Sequence, residues 1–227
     1  MVLFLESLYR SWRKVRFLSN LPGRIVAVEG IDQSGKRTQT RLLANRLKRT
    51  GAKTSTISFP IYDSPSGHQI RSYLEGKQDY SPEALHMLFS LNRWESSQLI
   101  DKQLNSNDFV IADRYTPSNL AYGVSRGLSL RWLLELDKGL PVPSLVVVLD
   151  VPIQSSFARK SKNRDVHEKN EKFLAEVKRT YRILARRLGW RIVDGRRPVS
   201  EVHAAIWKLV VQKFSLDKNG WGAKPLG

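Results

Sequence analysis

Apolar and polar positions alternate along this chain in two distinct rhythms. Short runs at Ile25–Glu29, Thr54–Phe59, Phe109–Asp113, Ser144–Asp150 and Trp190–Asp194 read as β-strands. Between them, apolar residues recur at helical spacing near 36–49, 66–75, 82–106, 116–137, 153–161, 169–188 and 200–214. Short strands separated by helices predict an α/β fold, a five-stranded parallel sheet with helices on both faces. In such sheets ligands bind beyond the carboxyl ends of the strands. Three of the predicted strands end there in acids, Glu29, Asp113 and Asp150, which is where a site for phosphate and metal is expected.

Residues 1–24 precede this pattern and read as a basic, amphipathic extension. Leu5, Leu8, Trp12 and Val15 recur near helical spacing, with Arg10, Arg13, Lys14 and Arg16 among them. The expected domain spans 25–214, followed by a tail at 215–227. No apolar run is long enough for a signal-peptide core or a membrane span. The extension is expected to pack as a helix on the domain or on a second subunit. Its arginine-rich, nearly acid-free composition leaves a transit peptide and a membrane-surface anchor open. No membrane partner is expected, and the location expected is cytoplasmic.

Composition narrows the chemistry. The 227 residues contain no cysteine, which removes disulfides, thiolate metal sites and cysteine nucleophiles. The four histidines lie far apart, without zinc-ligand spacing. A formal charge of +17 suits either nucleic acid or polyanionic small substrates drawn in by a positive field. A solvated surface of mixed charge, such as Glu171 and Glu176 among Lys169, Lys172 and Lys178, is the plainer alternative. No zinc-finger, RRM or KH signature is present, so nucleic acid is not the expected partner and small-molecule phosphates are.

The sharpest motif is VEGIDQSGKRT. Gly30, four residues, Gly35 and Lys36 follow a strand and open a helix, as in a phosphate-binding loop. The glycines let backbone N–H groups converge on phosphate oxygens, the helix adds its positive dipole end, and Lys36 adds a point charge. A mere strand-to-helix turn would leave Lys36 and both glycines as coincidence. The position after Lys36 holds Arg37 where a hydroxyl is usual, with Thr38 one place late. Asp113-Arg114-Tyr115 ends a strand, where an aspartate can hold magnesium and an arginine can clamp a phosphate. A structural salt bridge explains that tripeptide equally well. Ser118, Asn119 and Tyr122 follow on one helical face. Phe89 and Arg93, four apart in LFSLNRWE, share a helix face and could stack a base and bond its edge. Taken alone, they also fit a core aromatic and a surface charge.

In order and spacing, VEGIDQSGKRTQ, SFPIYDSPSG, LFSLNRWE, DRYTPSNLAY, GLPVPSLVVVLDVP and RDVHEKNEKFLAEVKRTY resemble the thymidylate kinase family of P-loop nucleoside-monophosphate kinases. The resemblance covers roughly residues 24–206. It implies γ-phosphoryl transfer from ATP to thymidine monophosphate with Mg2+, a homodimer, and a short mobile lid at about 159–168. It places Gly30, Gln33, Ser34, Gly35, Lys36, Arg37 and Thr38 on the ATP phosphates. It assigns Asp32 to the sugar hydroxyl, Phe89 to the thymine face, Arg93 and Asn119 to the base edge, and Tyr122 to the deoxyribose. Ser118 falls in the same nucleotide site, Arg114, Tyr62 and Arg71 go to the phosphate of the monophosphate, and Asp113 goes to the metal. Lys36, Arg114 and the lid arginines Arg159 and Arg164 supply catalytic charge. The chain departs from the family pattern at Arg37, at Ile61, where arginine is frequent, and at His167, where tyrosine is usual. A kinase for another nucleotide or nucleoside and a non-catalytic P-loop protein are the rival readings.

Overall fold

A computed structural model describes residues 21–154 and 170–216. Its centre is a five-stranded sheet in the order β2-β3-β1-β4-β5. The strands are β1 (Arg24–Glu29), β2 (Thr54–Ser58), β3 (Phe109–Asp113), β4 (Leu145–Asp150) and β5 (Arg191–Asp194). Every pairing is parallel, with Val28 beside Asp113 and Glu29 beside Val148. This register brings the carboxyl ends of β1, β3 and β4 to one edge.

Both faces of β1 are buried, and alternate residues feed separate cores. Ile25 and Ala27 face a core shared with Leu104, Leu120, Val177 and Tyr181. Val26 and Val28 face Leu43, Leu47, Ile206 and Val210 on the other side. The covering helices are α1 (Lys36–Arg49), α2 (Pro65–Leu74), α3 (Pro82–Glu95), α4 (Ser97–Ser106), α5 (Thr116–Ser125), α6 (Leu130–Leu136), α7 (Glu171–Leu188) and α8 (Val199–Phe214). Helices α1 and α8 lie on one face, with α4, α5 and α7 on the other.

Two expected helices are each broken in two. The stretch 82–106 is interrupted at Ser96, whose N–H donates to the Arg93 carbonyl and whose hydroxyl donates to the Asn92 carbonyl at 2.8 Å. The stretch 116–137 turns after Ser125, where Gly127 N–H bonds Val124 O and Leu128 N–H bonds Gly123 O. Ser129 then caps α6 by accepting from Trp132 N–H. Apolar periodicity runs on through both breaks because each half keeps a buried face. Only the local hydrogen bonds mark the turn.

Helix α2 begins at an Ser64 cap, whose hydroxyl accepts from Gly67 N–H at 3.1 Å. Gly67 lies directly on the segment before the helix, and a Cβ there would come within 2.0 Å of the Ile61 carbonyl oxygen and 2.7 Å of Tyr62 Cα. Backbone cannot swing aside as a side-chain tip can. Gly67→Ala is therefore expected to destabilise the protein by about 2 kcal/mol or more through overpacking. Urea unfolding checks this, and an unchanged midpoint would contradict the packing described.

Candidate functional site

The loop between β1 and α1 has the backbone its glycines require. Gly30 has φ +138 and Gly35 φ +94, and a Cβ on Gly30 would sit 2.7 Å from the Leu149 carbonyl oxygen. Gln33 also takes a positive φ, +58. Lys36 is buried, and its Nζ donates to Ile31 O across the loop at 2.8 Å. Burial, helped by the nearby Arg114 cation, pushes its pKa down to about 8, against the pull of Asp32, Asp113 and Glu29. The Ser34 hydroxyl is buried inside the loop with no hydrogen-bond partner among the described residues. Arg37 and Thr38, by contrast, are exposed on the first turn of α1. The buried hydroxyl of the loop thus belongs to Ser34.

Arg114 closes the loop from the β3 side. Its backbone is left-handed, φ +64, a conformation costing a non-glycine residue about 1–3 kcal/mol. The guanidinium donates from Nη1 to Gly30 O at 3.2 Å and to Ser118 Oγ at 3.1 Å. Its Nη2 pairs with Asp32, whose other carboxylate oxygen accepts from Tyr122 Oη at 3.0 Å. Beneath this cluster lies Glu29, fully buried. It accepts from Tyr115 N–H at 2.8 Å, Ser118 Oγ at 2.6 Å and Tyr181 Oη at 2.9 Å. Burial raises the Glu29 pKa, opposed by the Ser118 bond and the Arg114 charge.

Beside Arg114 opens a cleft of about 620 Å³, counting the solvent at its mouth. Eight of the nine residues expected around the monophosphate line it: Asp32, Tyr62, Phe89, Arg93, Arg114, Ser118, Asn119 and Tyr122. The ninth, Arg71, stands behind Tyr62, its guanidinium 5.1 Å from that ring and 3.9 Å from Asp63. Phe89 is half-buried and lines the cleft.

Several of these side chains are committed to partners that no motif announced. Arg93 binds Asp137 through Nε at 3.1 Å and Nη2 at 2.8 Å, with the Ser90 hydroxyl also on that carboxylate. Both charged groups are buried, so the pair must stay intact. Asn119 accepts from His86 Nδ1 at 2.6 Å and donates from Nδ2 to the His86 carbonyl at 3.3 Å. The two groups expected at the base edge therefore spend most of their hydrogen bonds on the protein. Asn92, which lines the cleft too, accepts from Ile61 N–H at 2.8 Å and so fastens the segment carrying Tyr62. Asp137 and His86 left no trace in the sequence beyond their identity. Glu29 was visible as a strand-ending acid, but its three bonds were not.

Asp113 ends β3 at the mouth of the loop, close enough to raise the pKa of Lys36, and it has no ion pair among the described residues. No group of three or more metal-ligating side chains occurs among those residues. Such a donor set fits magnesium, which takes one or two carboxylates and completes its shell with water and substrate phosphate. Arg159, Arg164, His167 and the expected lid lie outside the described residues, as do residues 1–20 and the tail beyond 216. No described helix is long and apolar enough to cross a membrane.

Comparison with known proteins agrees with this geometry. The family profile described as "Thymidylate kinase" matches residues 28–206. The thymidylate kinase of Schizosaccharomyces pombe is 33% identical over 192 residues, 83% of this chain and 91% of that protein. The human thymidylate kinase is 33% identical over 187 residues, 81% of this chain and 88% of that one. The solved structure of the Candida albicans thymidylate kinase superposes with a TM-score of 0.73 at 32% identity, covering 86% of this chain and 93% of its own. With the phosphate loop, Arg114 and the cleft beside it in one arrangement, the chain belongs to the thymidylate kinase family.

Proposed function

We propose that this protein transfers the γ-phosphoryl group of ATP to thymidine monophosphate, giving thymidine diphosphate and ADP. The observation that carries the reading is Arg114. One guanidinium touches both Gly30 of the phosphate loop and the Asp32–Tyr122 pair of the cleft, so donor and recipient phosphates meet there.

The loop N–H groups, the amino end of α1 and Lys36 hold the triphosphate. Phe89 stacks on the thymine, while Tyr122 and Asp32 bound the sugar. Arg114 and Tyr62, with Arg71 behind it, hold the phosphate of the monophosphate. An oxygen of that phosphate attacks the γ-phosphorus as the bond to the β,γ-bridging oxygen breaks, and ADP leaves with the electron pair. The attacking oxygen is already anionic, so no strong general base is needed. Alignment and fixed positive charge supply the rate enhancement. Magnesium, held by Asp113 together with substrate phosphates, would neutralise charge on the transferring group when bound.

We also infer a homodimer, in a cytoplasmic setting. Met87, Leu91 and Trp94 are 50%, 49% and 39% exposed and recur at helical spacing on α3. That is an apolar stripe of the kind a second copy covers.

Purified protein with ATP, magnesium and a panel of monophosphates should turn over thymidylate preferentially; turnover without a preferred recipient would sink the reading. Phe89→Ala should raise the KM for thymidylate about tenfold or more and leave the KM for ATP nearly unchanged, since base–aromatic stacking is worth about 1–3 kcal/mol. The Lys36 ammonium is favoured by phosphate and lost as pH rises through about 8. ATP affinity, measured by titration calorimetry, should therefore weaken between about pH 7 and pH 9; a flat profile would exclude Lys36 as the phosphate-binding charge. In sedimentation the chain should run at twice its 26.0 kDa mass, and Leu91→Glu should shift it to the monomer.

A further inference from the structure

Tyr181, buried on α7, does not line the cleft, yet its hydroxyl belongs to the hydrogen bonds that hold Arg114. Tyr181 Oη donates to Glu29 Oε2 at 2.9 Å and lies 3.1 Å from Ser118 Oγ. Ser118 donates to the same carboxylate oxygen at 2.6 Å. A serine hydroxyl has one proton, and with that proton on Glu29 its lone pairs are left to accept. Arg114 Nη1 donates to one of them at 3.1 Å and is thereby held between Ser118 and the Gly30 carbonyl. Four side chains, from α7, β1, α5 and the turn after β3, thus form one chain of hydrogen bonds that ends on the guanidinium. Its direction depends on Glu29 staying ionised. Burial pushes the acid toward its neutral form, against the bonds from Ser118, Tyr115 N–H and Tyr181 and the charge of Arg114. A neutral carboxyl must give its proton to a hydroxyl oxygen, because the Tyr115 N–H cannot accept. Ser118 is the nearer of the two, and receiving that proton turns its own toward Arg114 or Tyr181. The Tyr181 ring meanwhile packs against Tyr122 and Trp190, each 6.4 Å away between centroids, and neither contact needs the hydroxyl.

We propose that Tyr181 is a positioning residue for phosphoryl transfer: by donating to Glu29 it keeps the Ser118 oxygen an acceptor, and so holds the Arg114 guanidinium in place. The proposal rests on the reading of Arg114 as the group at which donor and recipient phosphates meet. Without the Tyr181 hydroxyl, a fully buried carboxylate loses one of its three donors, and Ser118 loses the partner that fixes its proton. Arg114 still keeps Asp32 and Gly30, so its charge stays in the site and still attracts phosphate. What it loses is alignment. Alignment of a fixed charge counts for more in the transition state than in the bound ground state, so the loss falls on kcat rather than KM.

Steady-state kinetics of the full chain with ATP, magnesium and thymidylate test this. Tyr181→Phe deletes one oxygen and keeps the ring contacts, whereas Ser118→Ala removes the acceptor itself. Tyr181→Phe should lower kcat about tenfold, with the KM values for ATP and thymidylate within about twofold of wild type. Ser118→Ala should lower kcat at least as far. The double variant should fall no further than Ser118→Ala alone, because both substitutions break one chain. Rates are taken well below the Tm of each variant, since a hydroxyl with a purely structural role lowers Tm and leaves kcat per folded molecule unchanged. If the wild type turns over thymidylate but Tyr181→Phe keeps full kcat, or the two single losses multiply in the double variant, Tyr181 does not act on Arg114 through Ser118. The kinase reading then stands without it. Full kcat in Ser118→Ala overturns the proposal as well, even where Tyr181→Phe fails to fold. A wild type that turns over no thymidylate ends the kinase reading and this proposal together.

Discussion

The Glu29 carboxylate joins the parts of this site that lie far apart in sequence. It sits at the end of the central strand with no solvent contact and receives hydrogen bonds from Tyr115 N–H, Ser118 and Tyr181. A carboxylate cannot be left in that environment without donors, because desolvation costs several kcal/mol. The three donors come from the turn after β3, from α5 and from α7. Satisfying one acid therefore fixes three elements against the phosphate loop. The same bonds brace the turn in which Arg114 takes its left-handed backbone, and that conformation points the guanidinium across the loop at Gly30 and Asp32. Strain at Arg114 persists because the surrounding hydrogen bonds leave the chain no relaxed alternative.

A second set of buried polar bonds shapes the cleft. Asp137, at the end of α6, holds Arg93 and Ser90 on α3, while Asn92 on the same helix holds the Ile61 backbone. Helix α3 is thereby fixed on two sides, and Phe89 between these anchors gains a defined ring position. His86 and Asn119 join α3 to α5 in the same way. Around this rigid centre the surface is strongly basic. Helix α1 carries Arg37, Arg41, Lys48 and Arg49 exposed and has no acidic residue. A positive field of this kind raises the encounter rate with anionic nucleotides and is screened by salt.

How much of this was legible in the sequence follows from the range of the forces involved. Strand and helix positions were legible because burial of alternate or helically spaced residues leaves a periodic record, and the five strands fall within a residue of their expected bounds. The breaks at Ser96 and after Ser125 were not, since each depends on a few hydrogen bonds that periodicity does not register. The tight loop at Gly30, Gly35 and Lys36 was legible because a strand that turns at once into a helix imposes fixed local spacing on its glycines. That Phe89, Arg114 and Tyr122 would gather around one cleft was legible through motif order.

The partners Asp137 for Arg93, and His86 for Asn119, are separated from them by 44 and 33 positions. Nothing along the chain records such a pairing, because it is made only when α3 folds back between α5 and α6. The sequence by itself determined the parallel sheet, the glycine-rich loop and, through the order of its motifs, the family to which the chain belongs, all of which rest on spacing along the chain. Tertiary structure alone decided that Ser34 supplies the buried hydroxyl while Arg37 and Thr38 face solvent, and that Arg93 and Asn119 are held by protein groups. Those outcomes depend on which side chains the packing shuts away from water. A buried polar group must then find its partner wherever the fold has placed one.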